Sequence, residues 1–214
     1  MKSKNGQINE IIKCGKDPIY FMNKYLKIQH PVKGLIRFNT FDFQDDCVKD
    51  FNDHRFNIIL KSRQLGLSTL VAAYSVWQAC FYKEKNILII ATKLAVAQNF
   101  IRKVKTYIKS MPNWLLVPTV IANNKQQVEF SNGSQIKAVP TSEDAGRSEA
   151  LSLLIVDEAA FVRNFDELWM GLYPTLSTGG RAIILSTPNG VGGQYHEIYT
   201  KAERKENEFN EIKL

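Results

Sequence analysis

Asn57-Ile58-Ile59-Leu60-Lys61-Ser62-Arg63-Gln64-Leu65-Gly66-Leu67-Ser68-Thr69 reads as a buried strand running into a loop, with a helix from about Ser68 onward. That layout lets backbone N–H groups and a helix N-terminus converge on an anion. The usual phosphate-loop pattern is G-x-x-x-x-G-K-[ST]. Gly66 and the hydroxyl of Ser68 keep their places, but Leu67 stands where the lysine belongs and Lys61 where the first glycine belongs. A lysine at either rim of such a loop can bring its ammonium to the β and γ phosphates of a nucleoside triphosphate. Ser68 offers Mg²⁺ a hard oxygen. Arg63, inside the loop, is a second cation able to reach the γ-phosphate in cis. Alone, the pattern also describes an ordinary basic strand–loop–helix turn.

A second stretch separates the two. Leu151-Ser152-Leu153-Leu154-Ile155-Val156-Asp157-Glu158-Ala159-Ala160 is an apolar strand ending in two carboxylates. An ATP-hydrolysing site needs this pair: Asp157 to hold Mg²⁺, directly or through water, and Glu158 to polarise the attacking water. A third strand, Arg181 to Leu185, ends in Ser186-Thr187-Pro188-Asn189-Gly190. Those hydroxyls and that amide can hydrogen-bond a γ-phosphate or the lytic water, and the same residues are good turn chemistry. Upstream, Asp144-Ala145-Gly146-Arg147-Ser148 offers an arginine that could reach a neighbouring subunit's nucleotide, or be a plain surface residue.

The composition is compatible. The 214 residues are 44% hydrophobic, enough for one sizeable α/β domain, and the net charge of +7 suits an acidic partner such as nucleic acid without requiring one. Cys14, Cys47 and Cys80 are far apart, which suggests neither a disulfide framework nor a zinc site. The polar N-terminus leads to no apolar signal core, and no run of about 18 apolar residues exists to span a membrane.

In chain order, residues 1–16 read as a polar arm. Asp17-Pro18 caps a helix that carries Phe21, Tyr25 and Ile28 and stops at His30-Pro31. Gly34 to Phe38 is extended. A second helix starts near Thr40 and carries Gln44, whose amide matches the donor–acceptor edge of adenine, or which is an ordinary surface glutamine. Ser68 to Tyr82 is an apolar helix and Asn86–Ala91 a buried strand. Leu94 to Met111 is an amphipathic helix whose Lys103, Lys105 and Lys109 read as an exposed face, open to DNA phosphates or simply solvated. Short strands near 119–122, 127–130 and 135–139, with an Asn132-Gly133 turn, form an antiparallel insertion. A charged helix runs from about Tyr195 to Lys205.

Taken together, these motifs resemble the ATPase domain of the large terminase subunit of tailed bacteriophages, the motor that pumps DNA into a procapsid. The residues that carry the resemblance are Ser62–Gly66, the Ile155–Phe161 block, Asp144–Arg147 and Ser186–Gly190, with a lead-in over Pro18 to Gln44. The resemblance implies a P-loop NTPase fold of the RecA/ASCE kind, with a mostly parallel sheet flanked by helices. Its divisions are an arm (1–16), a lead-in with an adenine motif (17–56) and an ATPase core (57–214). It implies ATP and Mg²⁺ as ligands. Lys61, Ser62, Arg63, Gln64, Leu65, Gly66, Leu67, Ser68 and Thr69 become the phosphate loop, with Lys61 replacing the missing lysine, as in some terminases. Gln44 reads adenine, Ser68 and Asp157 hold the metal, Glu158 is the catalytic glutamate, and Arg63 and Arg147 act in cis and in trans. Ser186, Thr187 and Asn189 form the coupling motif. Double-stranded DNA, the portal protein and the small terminase subunit are the implied partners. A homo-oligomeric ring on the procapsid in the host cytoplasm, away from membranes, is the implied setting. The acid cluster of the family's nuclease domain is absent here, so no DNA cleavage is expected from these residues.

A two-domain helicase would need a second motor domain. A scaffold that kept the fold and lost catalysis is suggested by Leu67 but does not need Glu158. A DNA-binding module without ATPase activity leaves both acids unexplained.

Overall fold

The computed structural model describes residues 4–141 and 149–214. Its centre is an eight-stranded sheet in the order β10-β3-β9-β8-β4-β7-β6-β5. The strands are β3 (Phe56–Leu60), β4 (Asn86–Ala91), β5 (Val120–Asn123), β6 (Gln127–Phe130), β7 (Gln135–Pro140), β8 (Leu153–Asp157), β9 (Arg181–Ser186) and β10 (Phe209–Lys213). From β10 to β7 every neighbouring pair is parallel; β6 and β5 continue the sheet antiparallel at one edge. The expected insertion is therefore not separate: β7 pairs in parallel with β4, and only β6 and β5 turn back.

Strand composition explains the layering. Side chains alternate across a pleated strand, so a strand buried on both faces is apolar throughout. Ile59, Ile89, Ile155 and Leu185 meet one core, and Ile58, Ile90, Val156 and Ile184 the other. Over the first core lie α1 (Lys4–Lys16), α2 (Pro18–Tyr25), α3 (Asp42–Asp53), α4 (Leu67–Phe81) and α5 (Leu94–Ser110). Over the second lie α6 (Phe165–Leu172) and α7 (Gly193–Glu203). Helix α4 is apolar all round because it is covered all round, by the sheet below and by its neighbouring helices.

Three local expectations change. Residues 4–16 are a helix docked on the body rather than an arm. The buried Glu10 carboxylate accepts hydrogen bonds from the hydroxyls of Tyr20 and Tyr25 and from the Lys24 ammonium, each at 2.7 Å. The helix after Pro18 ends at Tyr25, where the Leu26 N–H closes it on the Met22 carbonyl. Ile28 lies instead on β1 (Lys27–His30), paired with β2 (Gly34–Arg37) in a small separate hairpin. Strand β10 had no clear signal, since only Phe209 and Ile212 of its five residues are buried.

The bend into β9 tests this packing. A methyl on Gly180 would lie 2.2 Å from the Leu151 carbonyl oxygen and 3.0 Å from the Leu176 Cα, both backbone atoms. Gly180→Ala is therefore expected to destabilise the chain by about 1–3 kcal/mol, the usual overpacking range. Urea denaturation measures this, and an unchanged midpoint would contradict the register of β9 beside β8.

Candidate active site

The sheet order places the chemistry. β9 lies between β3 and β8, so the loop after β3, the Ser186-Thr187 tip of β9 and the Asp157-Glu158 tip of β8 share the C-terminal edge of the parallel strands. Open α/β sheets bind ligands at that edge.

Lys61 continues β3, its N–H donating to the Ser186 carbonyl at 3.0 Å. Its side chain is 7% exposed, and its ammonium donates to Glu158 Oε1 at 2.6 Å. The other Glu158 oxygen accepts from the Thr187 N–H and the Thr187 hydroxyl, both at 3.0 Å. Burial works to raise the Glu158 carboxyl, but the Lys61 and Thr187 hydrogen bonds outweigh it and hold the group below the ordinary glutamate value. The tip of β9 thus grips the Glu158 carboxylate. Ser186 Oγ accepts from the Ala160 N–H at 3.1 Å, and Asn189 Nδ2 donates to the Ala160 carbonyl at 2.9 Å.

Ser68, in the first turn of α4, donates its hydroxyl to Asp157 Oδ2 at 2.9 Å. Oδ1 of the same carboxylate is buried with no hydrogen-bond partner. Burial is the largest influence on Asp157 and raises its carboxyl above the ordinary aspartate value, against the lowering pull of the Ser68 hydroxyl and the Lys61 ammonium. A buried carboxylate with a spare oxygen beside a serine hydroxyl suits a hard divalent cation.

Backbone conformation shapes the loop. Gln64 (φ 64°), Gly66 (φ 74°) and Glu158 (φ 55°) are left-handed. Two of these three are not glycine, and such conformations persist only where the surroundings impose them. At Gly66 even a β-carbon would sit 2.9 Å from Gln44 Nε2. Gln44, 2% exposed, donates to the Leu65 carbonyl at 2.8 Å and accepts from the Phe41 N–H at 3.2 Å. The expected adenine reader is therefore a brace under the loop, with one amide hydrogen and one lone pair uncommitted. Ser62 points away from the cradle; its N–H donates to the Leu214 carbonyl at 3.1 Å. Leu67 is buried core, which accounts for an apolar residue in the usual lysine position.

Arg63 lines a cavity of about 550 Å³ with Glu158 and Thr187. Lys93 and Arg163 line it too, and sequence reasoning did not single them out. Lys93 lies two residues beyond the end of the core strand β4, a signal the strand alone contained; Arg163 has none. Arg147 lies outside the described residues. Lys103 is corrected as well. It is partly buried and lines a cavity of about 530 Å³ with Ser68 and Asp157, while Lys109 alone of the three helix lysines is fully on the surface.

Asp157→Asn follows from this electrostatics. A carboxyl whose pKa is raised by folding binds its proton more tightly when folded, so stability is lost as pH rises through the folded value. Removing the charge should raise the melting midpoint of the metal-free chain by on the order of 2–4 °C, the shift that about 1 kcal/mol gives a domain of this size. Calorimetry in EDTA is the measurement; a lowered midpoint would show that the ionised acid stabilises the fold.

Known proteins agree with this architecture. The large terminase of bacteriophage HK97 superposes with a TM-score of 0.73 at 16% identity, over 92% of this chain and 43% of that one. The ATPase domain of the Thermus phage P74-26 large terminase gives 0.64 at 18% identity, over 75% and 76%. The large terminase of a thermophilic bacteriophage in complex with ATP-γ-S gives 0.63 at 14% identity, over 81% and 44%. The chain thus spans less than half the length of the full-length terminases it resembles. At such identities the likeness shows the fold. The sequence profile described as terminase large subunit, T4likevirus-type, N-terminal, matches residues 58–213, from β3 to β10, and the chain belongs to that family.

Proposed function

We propose that this chain is the ATP-hydrolysing motor domain of a viral DNA-packaging terminase, coupling hydrolysis to the movement of double-stranded DNA into a procapsid. The observation that supports this most is the joint placement of Glu158, held by Lys61 and Thr187, and Asp157, held by Ser68 with one oxygen to spare. The ATP-γ-S complex of a relative supports a nucleotide as the ligand.

In this reading the backbone from Arg63 to Thr69 wraps the phosphates, and the uncommitted amide atoms of Gln44 face adenine. Ser68 and Asp157 would hold Mg²⁺, which supplies charge neutralisation at the β and γ phosphates. Glu158 orients water in line with the γ-phosphorus and accepts its proton. Lys61 and Arg63 offset the charge that develops on the γ-oxygens, with Arg147 of a neighbouring subunit as the contribution in trans. Thr187 and Ser186 bond to Glu158 and the turn after it, so loss of the γ-phosphate would be felt directly by the β9 tip. The same reading places the domain in a homo-oligomeric ring with the portal protein and the small terminase subunit, in the host cytoplasm. Among the described residues no helix is long and apolar enough to cross a membrane.

Phosphate release by the wild-type chain and by Glu158→Gln tests this. Turnover should fall at least about a hundredfold, the low end for loss of a general base, while an ATP analogue stays bound. Equal turnover would remove Glu158 from the chemistry. No turnover by the wild type, even with DNA and procapsids, would remove the ATPase reading.

A further inference from the structure

The 530 Å³ cavity beside Ser68 and Asp157 is walled on its far side by α5. Asn99, Lys103 and Tyr107 follow at helical spacing and line it together. The Tyr107 hydroxyl donates to the Thr69 carbonyl at 3.0 Å, which ties this face of α5 to the first turn of the phosphate-loop helix. The Lys103 stem packs along Phe100, its ammonium 5.5 Å from the ring centroid. The cavity's other cation, Arg102, is exposed and donates to Asn99. Lys103 is thus the half-buried cation opposite a buried aspartate that has a bare oxygen. Burial pushes its ammonium below the ordinary lysine value, and the Asp157 charge draws it back up.

A solvated face would not set a lysine ammonium over an aromatic ring in a cavity that Ser68 and Asp157 also line. Lys61 also draws on Asp157, and more strongly than Lys103 does, but its ammonium is held in a direct ion pair with Glu158 at 2.6 Å, whereas Lys103 makes no such pair among the described residues and shares its cavity with Asp157. Without a divalent cation, Asp157 presents a negative charge where the polyphosphate of a nucleotide must enter. We propose that Lys103 is the metal-free counter-charge of this site: its ammonium offsets Asp157 until a divalent cation does so, and lets a nucleoside triphosphate bind before the metal. This rests on the reading of Ser68 and Asp157 as the metal side of a nucleotide site.

The test is calorimetric binding of adenylyl imidodiphosphate to the wild type, Lys103→Met and Lys103→Arg, each in excess Mg²⁺ and in EDTA. Methionine keeps the stem over Phe100 and removes the charge; arginine keeps the charge. Melting midpoints of all three check the fold. The proposal expects Lys103→Met to lose about tenfold or more in affinity in EDTA and less than about threefold in Mg²⁺, a selective loss of more than 1.4 kcal/mol. Lys103→Arg should remain near the wild type in both. Equal losses in both conditions, as a structural role would give, overturn the proposal, and so does no loss in either. A wild type that binds the analogue in neither condition overturns the nucleotide reading together with it.

Discussion

The ion pair between Lys61 and Glu158 is the contact around which this edge of the molecule is arranged. It joins the tips of β3 and β8 across the tip of β9, and β9 supplies the Thr187 N–H and hydroxyl that occupy the other carboxylate oxygen. A largely buried pair of charges repays its desolvation only when its remaining valences are filled. Here the tip of β9 fills those of the carboxylate. The strand order also explains why the pairing was not legible from either neighbourhood: Lys61 and Glu158 lie far apart in the chain, and their strand tips come together only through the sheet order β3-β9-β8.

In this structure both groups are committed to each other. The lysine proposed to neutralise phosphates holds the acid proposed to activate water, and the backbone at Gln64 and Glu158 is strained around them. Incoming phosphate oxygens would compete with Glu158 for the same ammonium. Releasing the carboxylate as the lysine turns to phosphate would link filling the site to freeing the base. The Ser186–Asn189 segment, bonded to Glu158 and Ala160, would register that exchange mechanically.

Much of this was legible in the chain. Strands β3, β4, β8 and β9 are apolar runs too short for helices and are followed by residues with chemistry, so fold class and candidate acids could be read together. What escaped was non-local. Residues 4–16 look polar because Glu10 is satisfied by partners on another helix, and β10 looks polar because it is an edge strand with one face half covered. Gln44 suggested a ligand contact, but the loop it touches first is its own chain's. Lys103 falls on a polar stripe by periodicity, yet a lysine stem is long enough to bring its charge back over Phe100 into the cavity lined by Ser68 and Asp157, and periodicity records only where the Cα lies.

The central claim is that Lys61 is shared between Glu158 and the phosphates. A double-mutant cycle on the affinity for a non-hydrolysable Mg-ATP analogue tests it most directly. The account predicts that Lys61→Ala weakens binding by on the order of 1.5–3 kcal/mol, as for a lost hydrogen bond to a charged group. It also predicts that Glu158→Gln tightens binding by freeing the lysine, and that the two effects do not add, because the gain vanishes without Lys61. Wild-type affinity in Lys61→Ala, or strictly additive effects, would show that the pair is a strand-tip staple and that the phosphates take their charge from elsewhere.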